Sequence, residues 1–286
     1  MTTPKIHRRE FRLRYYEMDA FAQATPTTLL NLIEETAFSH CEESGWDVFR
    51  LVSEGYGWVL LRGGLEMSRY PGYRESFTVE SWCSSTRGFY GTREYALRDG
   101  AGNMIGFARS LWLFYGLERK RPVPVFPEIV AAWEPGGGSA GDMELAEIAG
   151  PGFGAIDKER EFRVRMADID TNSHVNNVNY LAWALESIPA DLRENSFLHR
   201  VRGQFKREVP YGATVLGACA CANACASGRS DSGAGAEIGS SASLSACGDK
   251  LIHGAYATAP GQSEPYLAAT AESTWLPRPL TCIRAA

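Results

Sequence analysis

The sequence predicts an α+β protein made of two tandem copies of one domain, each a single buried helix wrapped by antiparallel strands. The first observation is an internal repeat. "FRLRYYEMDAFAQATPTTLLNLIEE", beginning at Phe11, aligns without gaps with "FRVRMADIDTNSHVNNVNYLAWALE", beginning at Phe162, an offset of 151 residues. In that register Arg12 faces Arg163, Arg14 faces Arg165, Asp19 faces Asp170 and Glu35 faces Glu186. The second observation is one helical run in each copy. The third is a series of alternating runs rich in aromatic and β-branched residues after the first helix. A buried helix followed by strands that must cover it is an α+β arrangement, and here it occurs twice.

In chain order, "EFRLRYYE" alternates as a strand and leads through a loop into "TTLLNLIEETAFSHCEESG", a helix stopped by Gly45, a suitable C′ residue. Four strand-like runs follow: "GWVLLRGGLEMSRY", "ESFTVESWCSSTRG", "FYGTREYALRD" and "MIGFARSLWLFYGLE". They break at Gly or Asp-Gly, and "DGAGN" from Asp99 is a hairpin signal. "AAWEPGGGSAGDMELAEIAGPGFGA" is rich in Gly, Ala and Pro without periodicity and reads as an interdomain linker. The expected division is therefore a domain over 1–130, a linker over 131–155 and a domain over 156–286. The second copy opens with "EFRVRMAD". Its helix carries Val178, Leu181, Ala182 and Leu185 at i, i+3, i+4 and i+7, with Tyr180, Trp183 and Ala184 over much of the remainder, so it must be buried. "HRVRGQFKREV", "ATVLGACACANA" and "LIHGAYATA" supply its strands. The Ala/Ser/Gly-rich stretch 226–249 reads as a strand end, a mobile loop and a returning strand.

Bulk properties exclude several classes. A chain of 286 residues with 44% hydrophobic and 22% charged residues buries a real core. A net charge of −5 gives no overall pull toward nucleic acid or anionic membranes. No run of eighteen apolar residues exists, which rules out a helical membrane span, and the N-terminus has no signal-type stretch. Seven cysteines without disulfide-scaffold spacing read as reduced thiols in a cytoplasm. Cys219, Cys221 and Cys225 suggest a metal site at first sight, but i and i+2 share a strand face and nothing completes a tetrahedral set, so packing is the reading and no metal is expected. His40, His199 and His253 stand alone as structural or exposed residues.

The chemistry concentrates in "DIDTNSHVNNVNYLAWALES". Asp170, Asn172, His174, Asn176, Asn177 and Asn179 crowd the mouth of a helix that is otherwise nearly all hydrocarbon. These residues resemble a block of the acyl-acyl carrier protein thioesterases of plant plastids and bacteria: Asp170, Asn172, His174, Val175, Asn176, Asn177 and Tyr180 stand at its positions. A second, later block of that family is similar to "FKREV" (Phe205 to Val209) and supplies Glu208. The resemblance also takes in "SRYPGYRESFTVESW" in the first half and stops in the Ala/Ser/Gly-rich region after Cys219.

The resemblance implies a tandem double hotdog fold with two long central helices, each wrapped by antiparallel sheet. It implies hydrolysis of the thioester joining a fatty acyl chain to carrier-protein phosphopantetheine, releasing free fatty acid and ending chain elongation. It places the chemistry in the C-terminal hotdog and the acyl pocket largely in the N-terminal one. Many plant members carry Cys where Val209 stands, so a nucleophilic cysteine scheme at that position is impossible here.

Thioester hydrolysis needs a base for water and donors for the carbonyl oxygen. Asp170 and Glu208, acceptor-only when ionised, can each take a proton from water or orient His174. His174 and Asn172 offer donors to an oxygen acquiring charge, and the helix mouth adds free N–H groups and a positive dipole end. Asn176 and Asn177 are candidates for substrate contact, with helix capping the favoured role. In the first copy Asp19 is kept, but Phe21 and Gln23 face Asn172 and His174, so that copy is expected to be catalytically dead. Trp58, with Trp82, Phe89 and Trp112, is expected on strands facing the first helix, Trp58 as a substrate contact. No cofactor is expected. The expected partner is an acyl carrier protein, reached through basic stretches such as His199 to Arg207; no nucleic acid or membrane is expected, and the chain is a monomer or homodimer. The competing readings are an acyl-CoA thioesterase of the same fold and a non-catalytic acyl-thioester sensor.

Overall fold

A computed structural model describes residues 5–151, 156–222 and 250–279. The expected loop and returning strand of 226–249, and Cys225, lie outside the described residues. The chain divides into two compact units between Ala146 and Glu147. The first contains β1 (His7–Arg12), α1 (Pro26–Glu43), α2 (Val48–Ser53), β2 (Tyr56–Met67), β3 (Ser76–Arg87), β4 (Tyr90–Asp99), β5 (Met104–Gly116), β6 (Arg121–Pro122) and α3 (Pro127–Trp133). The second contains β7 (Lys158–Arg163), α4 (Asn177–Glu186), α5 (Ala190–Asn195), β8 (Ser196–Phe205), β9 (Thr214–Cys221), β10 (Lys250–Thr258) and β11 (Tyr266–Pro277).

All strand pairs within each unit are antiparallel, and the two units share one strand order. In the first it is β1-β3-β4-β5-β2, with the short β6 on β5. In the second it is β7-β9-β10-β11-β8. The repeat seen in the sequence is thus a repeat of topology, and the α+β class holds in both units.

Local chemistry explains where elements start and stop. "EFRLRYYE" does not run through as a strand: β1 ends at Arg12, and Tyr15–Glu17 is a 3-10 turn. The Glu17 carboxylate accepts from the Arg14 backbone N–H at 2.7 Å and from its side chain at 2.9 Å, closing the turn. Asp168 does the same for Arg165 at 2.8 Å, so "EFRVRMAD" also breaks after Arg163. Helix α1 ends in a Schellman motif. Gly45 has φ +74, its N–H bonds to the Glu42 carbonyl and the Trp46 N–H bonds to the Cys41 carbonyl, both at 2.9 Å, a turn only a residue tolerating positive φ closes cheaply.

The second helix departs from the expectation of two long helices: α1 has 18 residues, α4 only 10. The Ser187 hydroxyl returns to the Trp183 carbonyl at 3.0 Å, and Pro189, which lacks an N–H and disfavours helix in the residue before it, forces a new start at α5. Helix α4 lies hard against its sheet. A Cβ at Gly217 would sit 2.8 Å from both the Ser187 hydroxyl and the Trp183 carbonyl. Its apolar face buries Tyr180 and Trp183 with Val164, Val215, Ala255 and Ala268.

Residues 134–151 carry no regular structure, yet they are packed. The Trp82 indole N–H donates to the Gly138 carbonyl, Arg109 to the Met143 carbonyl, and Thr270 to the Ile148 carbonyl; Met143 and Ile148 are buried. Cys219 is buried as a free thiol, pushed up to about 12 by burial. Cys221 corrects the reduced-thiol expectation: it is disulfide-bonded, its partner outside the described residues. It ends β9 just before a stretch that carries two further cysteines. Among the described residues no helix is long and apolar enough to cross a membrane.

Two predictions follow from packing and burial. Gly217→Ala must push α4 off β9 or strain both, and costs about 1–3 kcal/mol, read as a lower urea midpoint. His40 and His253 are fully buried; burial, and for His40 also the Arg93 guanidinium, lowers them to about 3 and about 4. The unfolded chain takes up these protons near 6.5 while the folded chain refuses them. Their stabilising contribution is therefore complete above that pH and falls on acidification, by about 1.4 kcal/mol per pH unit for each histidine. Urea unfolding at pH 7 and pH 5 measures the loss, and His40→Gln makes it smaller.

Candidate active site

The mouth of α4 is built by backbone hydrogen bonds, and the mouth of α1 repeats their pattern, with the cap bond one residue further into the helix. The Asp168 carbonyl accepts from the Asn176 N–H at 2.9 Å and the Asn179 amide at 3.1 Å. The Glu17 carbonyl accepts from the Thr25 N–H at 3.2 Å and the Thr28 hydroxyl at 2.9 Å. Asn176 caps α4 by accepting from the Val178 N–H at 2.8 Å, and Thr25 caps α1 from the Thr28 N–H at 3.0 Å. Ile169 bridges Val175 as Met18 bridges Ala24. Ser173 and Ala22 both adopt positive φ, 64 and 55.

Asp170 and Asp19 hold the same loop in the same way. Oδ1 of Asp170 accepts from the backbone N–H groups of Asn172 at 2.8 Å and His174 at 3.4 Å. Oδ1 of Asp19 accepts from those of Phe21 at 2.9 Å and Gln23 at 3.2 Å. The aspartate kept in both copies therefore shapes a turn, as Asx residues do. The side chains that differ are those the turn displays.

In the second unit the displayed groups meet a partner. The Val175 N–H bonds to the Val209 carbonyl at 3.2 Å, laying the two segments side by side. This sets His174 Nε2 3.1 Å from Glu208 Oε2, with both side chains open to solvent. The Asn172 amide instead reaches Asp170 Oδ2, at 3.4 Å. The four polar residues thus form two pairs, and it is Glu208, not Asp170, that touches the imidazole.

Two tyrosines fix the backbone under Glu208. The buried Tyr180 hydroxyl accepts from the Val209 N–H at 3.0 Å, and the Tyr266 hydroxyl donates to the Glu208 carbonyl at 2.8 Å. Burial pushes the Tyr180 hydroxyl up, despite its bond to Val209, so it stays protonated. Arg207 stacks on the Tyr266 ring, 4.0 Å from its centre. Sequence reasoning placed Tyr180 on the helix and in the family block without a role, and missed Tyr266, because β11 ("YLAATAESTWLP") is too rich in Ala, Ser and Thr to announce itself. The repeat held the missing signal: the first copy has a strand, β5, at the corresponding place.

Asn177 is the first residue of α4 and half-buried. In the first unit the Ala24 N–H bonds to the Pro71 carbonyl at 2.9 Å, which puts Tyr70 where Glu208 stands. That mouth has the scaffold with Phe21, Gln23 and Tyr70 in place of Asn172, His174 and Glu208. Trp58 lies on the wall of a small pocket within the first unit, between α1 and the sheet. Its lining is largely apolar: Ala37, Phe38, Trp58, Trp112 and Trp133.

Comparisons with known proteins place both units in one family. Residues 4–133 match the family model described as the acyl-ACP thioesterase N-terminal domain, and residues 155–241 the acyl-ACP thioesterase C-terminal domain. The chain is 28% identical over 223 residues to oleoyl-acyl carrier protein thioesterase 2, chloroplastic, of Arabidopsis thaliana, covering 71% of this chain and 59% of that protein. It is 28% identical over 220 residues to the palmitoyl-acyl carrier protein thioesterase, chloroplastic, of the same plant, covering 71% and 52%. The match thus spans little more than half the length of these relatives. Two solved structures share its fold. One is an acyl-ACP thioesterase of Bacteroides thetaiotaomicron (TM-score 0.76, 19% identity, 95% of this chain and 98% of that one). The other is the 12:0-ACP thioesterase of Umbellularia californica (TM-score 0.76, 19% identity, 96% and 98%).

If Asp19 and Asp170 are turn-formers, Asp19→Ala and Asp170→Ala each lower stability by about 1–2 kcal/mol, measured by chemical unfolding. A scaffold repeated in hydrogen bonds and topology, matched along three quarters of its length by paired N- and C-terminal family models, makes this chain a member of the acyl-ACP thioesterase family.

Proposed function

We propose that the protein hydrolyses the thioester of a fatty acyl chain carried on acyl carrier protein phosphopantetheine, releasing the free fatty acid. The observation that carries this is the His174–Glu208 contact of 3.1 Å at a helix mouth, in the second copy alone. In this reading the two units are a tandem double hotdog. The C-terminal one holds the chemistry, and the N-terminal one holds the acyl chain, with Trp58 on its pocket wall.

A carboxylate against Nε2 fixes the imidazole with Nε2–H donating, which leaves the Nδ1 lone pair for a proton. Water then loses its proton to His174 as its oxygen attacks the thioester carbon. The resulting imidazolium is steadied by Glu208 and returns the proton to the departing phosphopantetheine sulfur. Asn172 and the first N–H of α4, at Asn177, are donors for the carbonyl oxygen as it gains charge. Asp170 holds the turn that presents Asn172 and His174. Val209 is fully buried and has no nucleophilic group, which favours water as the attacking species. Lys206 and Arg207 are exposed beside Glu208, where cations suit an acidic carrier protein.

The test is thiol release from carrier-bound acyl chains of increasing length. His174→Ala and Glu208→Ala are expected to lower kcat by about 10²–10⁴-fold with folding intact, whereas Gln23→Ala leaves kcat unchanged. Acyl binding without turnover by the wild type would replace this reading with that of a sensor, and faster release from coenzyme A would replace the carrier.

A further inference from the structure

Arg207 stands directly before Glu208, yet its guanidinium does not go to that carboxylate. It lies over the Tyr266 ring, 4.0 Å from the centre, and among the described residues it forms no ion pair. Strand β8 has ended at Phe205; beyond it the N–H groups of Lys206 and Arg207 share the Ala268 carbonyl, at 2.9 and 3.1 Å. That shared carbonyl breaks the alternation that would send neighbouring side chains to opposite faces. Both charges are felt at the Tyr266 hydroxyl, which burial pushes up, Arg207 lowers and Glu208 raises.

The first unit shows what an arginine does at this place. Pro71 and Val209 each accept from a helix mouth through their carbonyls, so Arg69 stands where Arg207 does. Arg69 reaches Glu75 at 2.7 Å and Asp99 at 3.1 Å. Strand register carries those two positions to Ala213 and Ala257, since Phe77 pairs with Asp99 as Val215 pairs with Ala257. The second unit thus lacks both carboxylates that hold the arginine, and carries one, Glu208, where the first has Tyr70. A guanidinium offers a carboxylate two parallel donors and a fixed charge, against one N–H from an imidazole. Released from the ring, Arg207 would compete with His174 for Glu208.

We infer that Tyr266 is a positioning residue that acts through Arg207: its ring holds the guanidinium away from Glu208, while its hydroxyl, donating to the Glu208 carbonyl at 2.8 Å, keeps that residue against His174. The inference rests on the proposed thioesterase reading and adds to it the residue that reserves the carboxylate for the imidazole.

The test is a double-mutant cycle on kcat, read as thiol release from saturating carrier-bound acyl chains, with urea midpoints to confirm that each variant folds. Tyr266→Phe keeps the ring and loses one hydrogen bond, and is expected to lower kcat about threefold. Tyr266→Leu frees the guanidinium and is expected to lower kcat at least about tenfold with Arg207 present, but only about threefold when Arg207→Gln accompanies it. A tyrosine that merely supports the fold costs the same in both backgrounds, and that result overturns the inference. So does a loss in Tyr266→Phe equal to that in Tyr266→Leu. Because Tyr266→Leu risks the sheet, Arg207→Lys asks the same question with the ring in place. It keeps the charge but gives up the planar stack, and should be slower than Arg207→Gln; an equal or higher kcat overturns the inference. Absence of thiol release by the wild type from every carrier-bound chain is the separate failure of the thioesterase reading, with which the inference falls.

Discussion

Everything at the two helix mouths depends on one constraint: a backbone that leaves a 3-10 turn and enters a helix must satisfy several N–H groups that no helical carbonyl can reach. The carbonyls of Glu17 and Asp168 take the cap N–H, the side chains of Thr25 and Asn176 cap the next turn, and Asp19 and Asp170 gather the N–H groups of the loop between. Each mouth is therefore complete as a piece of folding before any chemistry is assigned to it. The second mouth displays an amide, Asn172, and an imidazole, His174, on a loop already fixed from behind.

That division explains why the polar residues of the second mouth do not act as one cluster. Asp170 is engaged through Oδ1 with backbone donors, and Oδ2 lies toward Asn172. Glu208 arrives from a different segment, held by Tyr180 on the central helix and Tyr266 on the sheet. The distance between His174 and Glu208 is thus set by three elements at once, a rigidity that the proposed proton relay needs.

The class and the repeat were legible in the sequence because both rest on periodicity and on an ungapped register that survives in the hydrogen bonds. The shared 3-10 turns were not, since a carboxylate folding back on its own backbone looks like one more alternating residue. Asp170, Asn172, His174 and Glu208 could be nominated from the family block, but their pairing could not, because it follows from the Val175–Val209 hydrogen bond between distant segments. Tyr266 escaped notice because Ala and Thr mask its strand. The sequence showed that Asp19 is kept but not what it does there; in the structure it forms the turn.

The positive-φ residues Ala22 and Ser173, at matching places in the two loops, point to a consequence for how such a protein can change over time. The frame of the first mouth is held by its own folding contacts, so its outward residues can change while the geometry stays the same. On the proposed reading, two side-chain exchanges on this ready-made loop and one at Tyr70 beside it would be the shortest path to a second reactive centre.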